Sequence, residues 1–387
     1  MNEFSFAMPA RIRFGAGIHR ELGKILHDEF KVKNVFIITG RHVAVSGVIE
    51  EIKEGFGEYG IATQVFAEAI PEPAVEDIDR IADIVRQSGA EAIIAIGGGS
   101  PLDAGKAVSM LMTHEGSCRD YLFGGSKQVT KPGLPLIAIP TTAGSGSEMT
   151  ASSVIEDKQR GVKLSITSDY IVPKLALIDP ELQLDMPPFV TATTGMDALT
   201  HAIESYVSRR ENPVADVFAL KAIEMIAQNL HTAVVDGRDI EARSNMALAS
   251  TIAGISFMNG GLGIVHGISQ TMGAVAHVSH GAGNALLLPY CMRKNAKACP
   301  EKFRDIAKAM GENIDGLTVE EAAERACEAA FSLADSVRIP MKLKEVGVAK
   351  SMFDEIIEGT MGYRMLAINP LEIKEQDVLD ILEAAYE

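Results

Sequence analysis

The stretch "AEAIIAIGGGSPLDAGKAVSMLM" (90–112) decides the fold. Its first part is almost continuously apolar and then breaks into three glycines. A strand buried on both faces reads this way, whereas a half-exposed strand alternates. From Pro101 onward the pattern is that of a helix. Ser100 is the expected N-cap and Pro101 the first helical residue. Strand, glycine turn, helix is the repeating corner of a parallel α/β sheet.

The same corner recurs on either side. "NVFIITG" (34–40) is an apolar run ending in glycine, and "LPLIAIPTTAGSGSE" (134–148) is another. Between the first of these and the glycine turn, "VEDIDRIADIVRQSG" (75–89) has the periodicity of an amphipathic helix closed by glycine. The β-α-β-α-β order predicts a parallel, Rossmann-like sheet with helices on its faces. Near residue 180 the pattern changes. "DPELQLDMPP" supplies prolines, and beyond it "PVADVFALKAIEMIAQNLHTAV", "IEARSNMALASTIAGISFM" and "VEEAAERACEAAFSLADSV" are all helical. The chain of 387 residues exceeds what one hydrophobic core normally serves. The expectation is an α/β domain over 1–180 and an all-α domain over 181–387, with ligands in the cleft beyond the carboxyl ends of the strands.

Composition narrows the function classes. Lys and Arg number 36 against 52 Asp and Glu, a net charge of −16. Such a surface repels nucleic acid and anionic membranes. Cys118, Cys291, Cys299 and Cys327 form no C-x-x-C pair, so neither a disulfide framework nor a zinc ribbon is expected, and a reducing cytoplasm fits. The start "MNEFSFAMPARIRFGAG" lacks the pattern of a signal peptide, and no run of eighteen apolar residues is found.

Two loops and one cluster carry chemistry. In "IGGGSPLDAGK" (96–106) the glycines allow close approach of the backbone, and the following helix presents unpaired N–H groups to an anion such as pyrophosphate. The spacing departs from G-x-G-x-x-G, and a plain βα turn has the same composition. "PTTAGSGSE" (140–148) is a second small-residue loop, with Thr141 and Thr142 offering hydroxyls. Two such loops suit an elongated ligand such as a dinucleotide. In "TTGMDALTHAIES" (193–205), Asp197 and His201 stand four apart on one helical face. An unpaired buried carboxylate costs several kcal/mol, so Asp197 needs compensation. "GGLGIVHGISQTMGAVAHVSHGAGN" (260–284) adds His266, His277 and His280. One carboxylate with imidazoles from this group makes a donor set for a divalent transition metal. His19, His27, His42, His114 and His231 lie among polar neighbours and call for no special role.

Together "GGGSPLDAGKA", "PTTAGSGSE", "TTGMDALTHAIE" and "GIVHGISQ…SHGAGNALLLPY" resemble the iron-containing (group III) alcohol dehydrogenases. "FAMPARIRFGAG" and "INP" (368–370) are similar too, so the resemblance spans nearly the whole chain. It implies the dehydroquinate synthase-like/group III alcohol dehydrogenase fold, with a dinucleotide-binding α/β domain and a helical metal-binding domain. Matched by position, the metal ligands are Asp197, His201, His266 and His280. The cofactor residues are Gly97, Gly98, Gly99, Ser100, Asp103, Thr141, Thr142, Ser145 and Lys163. Ala151, Ser152 and Phe257 fall in the substrate pocket, and small residues at 151–152 leave room for a substrate larger than ethanol or one with a polar tail. A homodimer or higher homo-oligomer follows from the resemblance alone.

Three positions depart from the family pattern. Gln270 stands where many relatives carry a histidine linked to proton movement, and glutamine carries no proton. His277 stands where relatives more often have another polar residue; it either replaces that proton carrier or lines the pocket. Gly40-Arg41 follows the second strand, where NAD-preferring relatives often have aspartate at the glycine position. Without that carboxylate, and with Arg41 beside it, the extra phosphate of NADP is accommodated. The implied activity is reversible hydride transfer between a small primary alcohol, diol or polar-tailed alcohol and NAD(P), leaning to NADP, with Fe(II) or Zn(II) as the metal. The competing readings are a glycerol dehydrogenase-like or dehydroquinate synthase-like enzyme of the same fold, and a nucleotide- and metal-binding protein without turnover.

Overall fold

The computed structural model describes residues 3–69 and 72–386. The chain forms two compact units. One comprises Met8–Thr142 and Gly146–Leu184; the other comprises Met1–Ala7, Ala143–Ser145 and Asp185–Glu387.

The first unit is built on a parallel sheet. Its strands are β1 (Arg11–Phe14), β2 (Asn34–Thr39), β3 (Ala62–Phe66), β4 (Ala92–Gly97), β5 (Leu136–Pro140) and, after a hairpin, β8 (Leu175–Ile178). They lie in the order β1-β8-β5-β4-β2-β3, and every pairing is parallel. The continuous apolar runs are explained by burial on both faces. Phe36, Ile38, Ile93, Ala95, Leu136 and Ala138 pack with Ile78, Ile81 and Leu102 on one side. Val35, Ile37, Ile94, Ile96, Ile137 and Ile139 pack with Leu22, Ile49 and Phe56 on the other. Successive side chains of a strand alternate faces, so neither set can be polar. β6 (Ser152–Asp157) and β7 (Val162–Thr167) form a separate antiparallel hairpin.

The amphipathic helix runs Val75–Ser88 and stops at Gly89, which takes the left-handed conformation at φ 66°. The helix after the glycine turn spans Gly99–Leu111, so it starts two residues earlier than the sequence suggests. Its N-cap is Gly98, and no side chain caps it. Ser100 lies within the first turn, where its hydroxyl accepts the Glu72 N–H at 3.1 Å. The cause is Gly97, whose φ of 149° turns the chain at once; a Cβ there would stand 2.7 Å from Pro101 Cγ.

The second unit is helical. Its long helices are Pro188–Val207, Pro213–Val235, Ile240–Gly260, Ile264–Ala276, His280–Ala296 and Val319–Ser336. They share one apolar core that includes Met196, Leu199, Ile226, Met246, Ile268, Leu287 and Phe303. Among the described residues no single helix is long and apolar enough to cross a membrane.

Candidate metal centre and nucleotide loops

Asp197 and His201 lie on the Pro188–Val207 helix, both buried, as the four-residue spacing requires. His266 lies on the Ile264–Ala276 helix and His280 begins the next one. Donor atoms of these four residues all lie within 4.8 Å of one another. From Asp197 Oδ1 the Nε2 atoms are 3.9 Å (His201), 4.0 Å (His266) and 3.7 Å (His280) away. Spacing alone left four histidines in play; tertiary structure selects these three and leaves His277 out. His277 is exposed at the end of its helix, in the left-handed conformation at φ 55°. Gln270 stands one turn beyond His266 on the same helix, half-buried.

Two of the imidazoles are oriented from behind. His201 Nδ1 faces the Gly144 carbonyl at 3.2 Å, which turns Nε2 toward Asp197. Phe257 stacks on His201 with ring centroids 4.4 Å apart, the single pocket residue of the three that lies in the helical unit. His266 Nδ1 faces Glu204 Oε2 at 2.6 Å. Burial pushes the His201 imidazolium down to about 3, so the ring is neutral at pH 7 and offers a lone pair. Burial works to raise the Asp197 carboxyl, but His201, His280, His266 and the Asn284 amide outweigh it and hold it below the usual range.

Asn284 escaped the sequence reading, although it sits inside a quoted motif. Its Nδ2 donates to Asp197 Oδ1 at 2.6 Å and faces Nε2 of both His266 and His280 at 3.1 Å. Its Oδ1 is buried without a hydrogen-bond partner. Lone pairs thus converge on one spot around the Asn284 amide. An anionic oxygen with three imidazole nitrogens fits a divalent transition ion, which satisfies all four donors together.

The nucleotide-loop residues group at the carboxyl ends of β4 and β5. Gly97 pairs in register with Pro140, and Thr141 N–H donates to Gly97 O at 2.9 Å. A Cβ on Gly98 would lie 3.5 Å from the Thr142 side chain, so the two loops touch. Gly99 and Ser100 open the helix, whose first N–H groups have no side-chain cap. Asp103 is engaged by the protein itself, accepting from Ser147 Oγ at 2.6 Å and from Val154 N–H at 2.9 Å. Ser145 belongs with the helical unit. Lys163, on β7, pairs with Glu72. Gly40 caps the short Arg41–Ala44 helix after β2, and Arg41 is exposed. Ala151 is buried, and Ser152 opens β6.

Lys106 was also missed. It is fully buried, and its Nζ donates to Ser147 Oγ (2.7 Å), Thr150 Oγ1 (2.8 Å) and Ser152 O (2.7 Å), with Asp103 at 3.4 Å. Burial lowers its pKa, while Asp103 and Glu148 oppose the shift. The lysine clamps the loop at 147–152 onto the helix of the glycine turn. His19 and His114 do have polar partners, but both are buried rather than at the surface. His19 Nδ1 meets Asp179 Oδ2 at 2.5 Å, and Asp179 also accepts the Gly17, His19 and Glu181 N–H groups. Asp179 is therefore saturated by the chain. His114 Nδ1 faces the Met110 carbonyl, and its Nε2 accepts the Thr130 N–H.

Comparison with known proteins agrees with this arrangement. The family described as iron-containing alcohol dehydrogenase matches residues 9–180, and its C-terminal counterpart matches residues 191–386. The NAD-dependent methanol dehydrogenase of Bacillus methanolicus is 37% identical over 98% of this chain and 99% of its own length. The lactaldehyde reductase of Escherichia coli (strain K12) is 36% identical over 93% of this chain and 95% of its own. A crystal structure of 1,3-propanediol oxidoreductase superposes with a TM-score of 0.96 at 36% identity and covers 100% of both chains. The chain therefore belongs to the iron-containing alcohol dehydrogenase family and is an oxidoreductase acting on alcohols.

Proposed function

We propose that this enzyme transfers hydride reversibly between a small primary alcohol and NAD(P), with a divalent metal, Fe(II) or Zn(II), held by Asp197, His201, His266 and His280. The observation that carries the reading is the convergence of those four donors within 4.8 Å. Bound there, such an ion supplies Lewis acidity toward the alcohol or carbonyl oxygen. The nicotinamide supplies the hydride chemistry, and the protein supplies binding and orientation.

The chain's own contributions follow from its residues. Gly97, Gly98 and Gly99 let the backbone approach a pyrophosphate, and the open N–H groups of the Gly99–Leu111 helix favour an anion. Thr141, Thr142 and Ser145 add hydroxyls, and Lys163 adds a cation. Asp103 and Lys106 hold the loop at 147–152, which contains Ala151 and Ser152. Gln270 donates and accepts hydrogen bonds toward substrate but moves no proton. His277, exposed and outside the cluster, is the histidine left to carry one.

Most of the relatives' names denote small substrates, methanol, 1,3-propanediol, lactaldehyde and choline, and one denotes long-chain alcohols. All denote net oxidation or reduction, which favours a dehydrogenase over a lyase of the same fold. The intact donor set speaks against a protein without turnover. Gly40 with Arg41 supports a lean to NADP. Four free thiols are consistent with the cytoplasm, and the family supports a homo-oligomer.

The test is a panel of short aldehydes assayed with NADH and NADPH, on protein reconstituted with Fe(II) or Zn(II). Metal-dependent turnover is expected, and His266→Ala should lose both the metal and the activity. Full turnover by a metal-free His266→Ala protein overturns the reading.

A further inference from the structure

Glu204 is almost fully buried, and it is the third functional side chain on one face of its helix. Asp197, His201 and Glu204 stand at i, i+4 and i+7. Its Oε2 accepts the Gly263 N–H at 2.9 Å and faces His266 Nδ1 at 2.6 Å; its Oε1 accepts the Val265 N–H at 2.6 Å. Gly263 is the N-cap of the Ile264–Ala276 helix and offers no side chain for that purpose. The carboxylate of another helix does the capping, at the end where a negative charge is favoured. The glycine is what admits it. A Cβ at Gly263 would stand 3.1 Å from Glu204 Oε1 and 2.7 Å from Asn369 Oδ1.

A carboxylate only accepts, so the hydrogen in the His266 contact lies on Nδ1. Nε2 then bears the lone pair, and it is the atom that faces Asp197 Oδ1 and receives the Asn284 amide. We propose that Glu204 is a positioning residue of the metal centre: it fixes His266 as the Nδ1–H tautomer with Nε2 presented to the cluster, and it anchors the helix that carries His266. The proposal rests on the metal reading given above.

The experiment measures Zn(II) affinity by competition with a chelator, and in parallel the melting temperature of the metal-free protein. Wild type, Glu204→Gln and Asn369→Ala are compared. Glutamine keeps one acceptor oxygen but loses the negative charge and sets its NH2 against the remaining N–H, so it holds His266 less firmly. Its affinity should fall by about 10–100-fold. Asn369 accepts the Ile264 N–H at 3.2 Å, at the same helix end. Its removal should lower the melting temperature and leave the zinc dissociation constant unchanged. Equal affinities for wild type and Glu204→Gln overturn the proposal. Equal losses in both variants also overturn it, because they mark a merely structural role. A wild type that binds no zinc brings down the metal reading, and this proposal with it. If Glu204→Gln does not fold, 15N spectra of histidine-labelled, metal-free wild type decide: His266 protonated on Nδ1 supports the assignment, and protonation on Nε2 refutes it.

Discussion

Gly40 follows β2 with an ordinary extended backbone, at φ −90° and ψ 165°. Glycine is therefore not demanded by conformation. A Cβ there would lie 3.3 Å from the Ala69 carbonyl, close enough that the neighbour must give by a few tenths of an ångström. Gly40→Asp should be tolerated, and its carboxylate would repel a 2′-phosphate while accepting a ribose hydroxyl. The expected result is a fall in the NADP/NAD ratio of kcat/KM by at least about tenfold, equivalent to about 1.4 kcal/mol. An unchanged ratio removes Gly40 and Arg41 from cofactor selection. At this scale the sequence was informative about residue type and silent about partners. Asp197, His201, His266 and His280 were nameable because their motifs match a family. Lys106 and Glu204 were not, because a lysine or glutamate on a helix normally faces water. Only their partners, Ser147 and Thr150 for one and His266 for the other, show that they are buried for a purpose.

The glycine-turn helix and β4 illustrate the element scale. Gly105 lies where the helix meets the strand; a Cβ would stand 2.6 Å from Ala95 Cβ. Neither partner has a flexible end that could swing away. Overpacking costs up to about 3 kcal/mol, and the helix-propensity gain of alanine over glycine returns about 1. Gly105→Ala should therefore lose about 2 kcal/mol in urea unfolding. Gly57 on the Val48–Glu58 helix is the control, since a Cβ there meets nothing within 4 Å. Gly57→Ala should gain up to about 1 kcal/mol. Stabilisation by both changes would show that the helix lifts freely from the sheet. The interior strands were readable because both faces are apolar. β1 and β3 were not, because they are the edges of the sheet and their side chains are largely half-buried or exposed. β8 is short, and the β6–β7 hairpin is interrupted by polar residues.

Across the whole molecule, all four proposed metal donors belong to the helical unit. Metal that binds only the folded state stabilises that unit by mass action. At about 100 times its dissociation constant the gain is about 2.7 kcal/mol. For a unit of this size, that is roughly 5–10 °C in the transition that reports its unfolding. Zinc should produce this shift in wild type and none in His201→Ala; no shift in wild type would contradict the metal assignment. Stability should also fall on either side of a pH optimum through His19 and Asp179. Burial opposes charging His19, but its bonds to Asp179 and Glu51 raise its pKa, so its contribution is lost as pH rises through that value. Burial likewise works to raise the Asp179 carboxyl, but His19 and the backbone N–H groups hold it low, so its contribution is lost as pH falls through that value.

By itself the sequence determined the α/β-then-helical plan, the glycine turn and the residue types of the candidate metal centre, since periodicity and motif spacing are local properties of a chain. Tertiary structure alone decided that these donors converge, that Asn284 lies among them with Glu204 behind His266, and that His19 is held by Asp179. Those choices depend on side chains tens to hundreds of residues apart meeting in a buried place, where an unpaired polar group is too costly to leave unsatisfied.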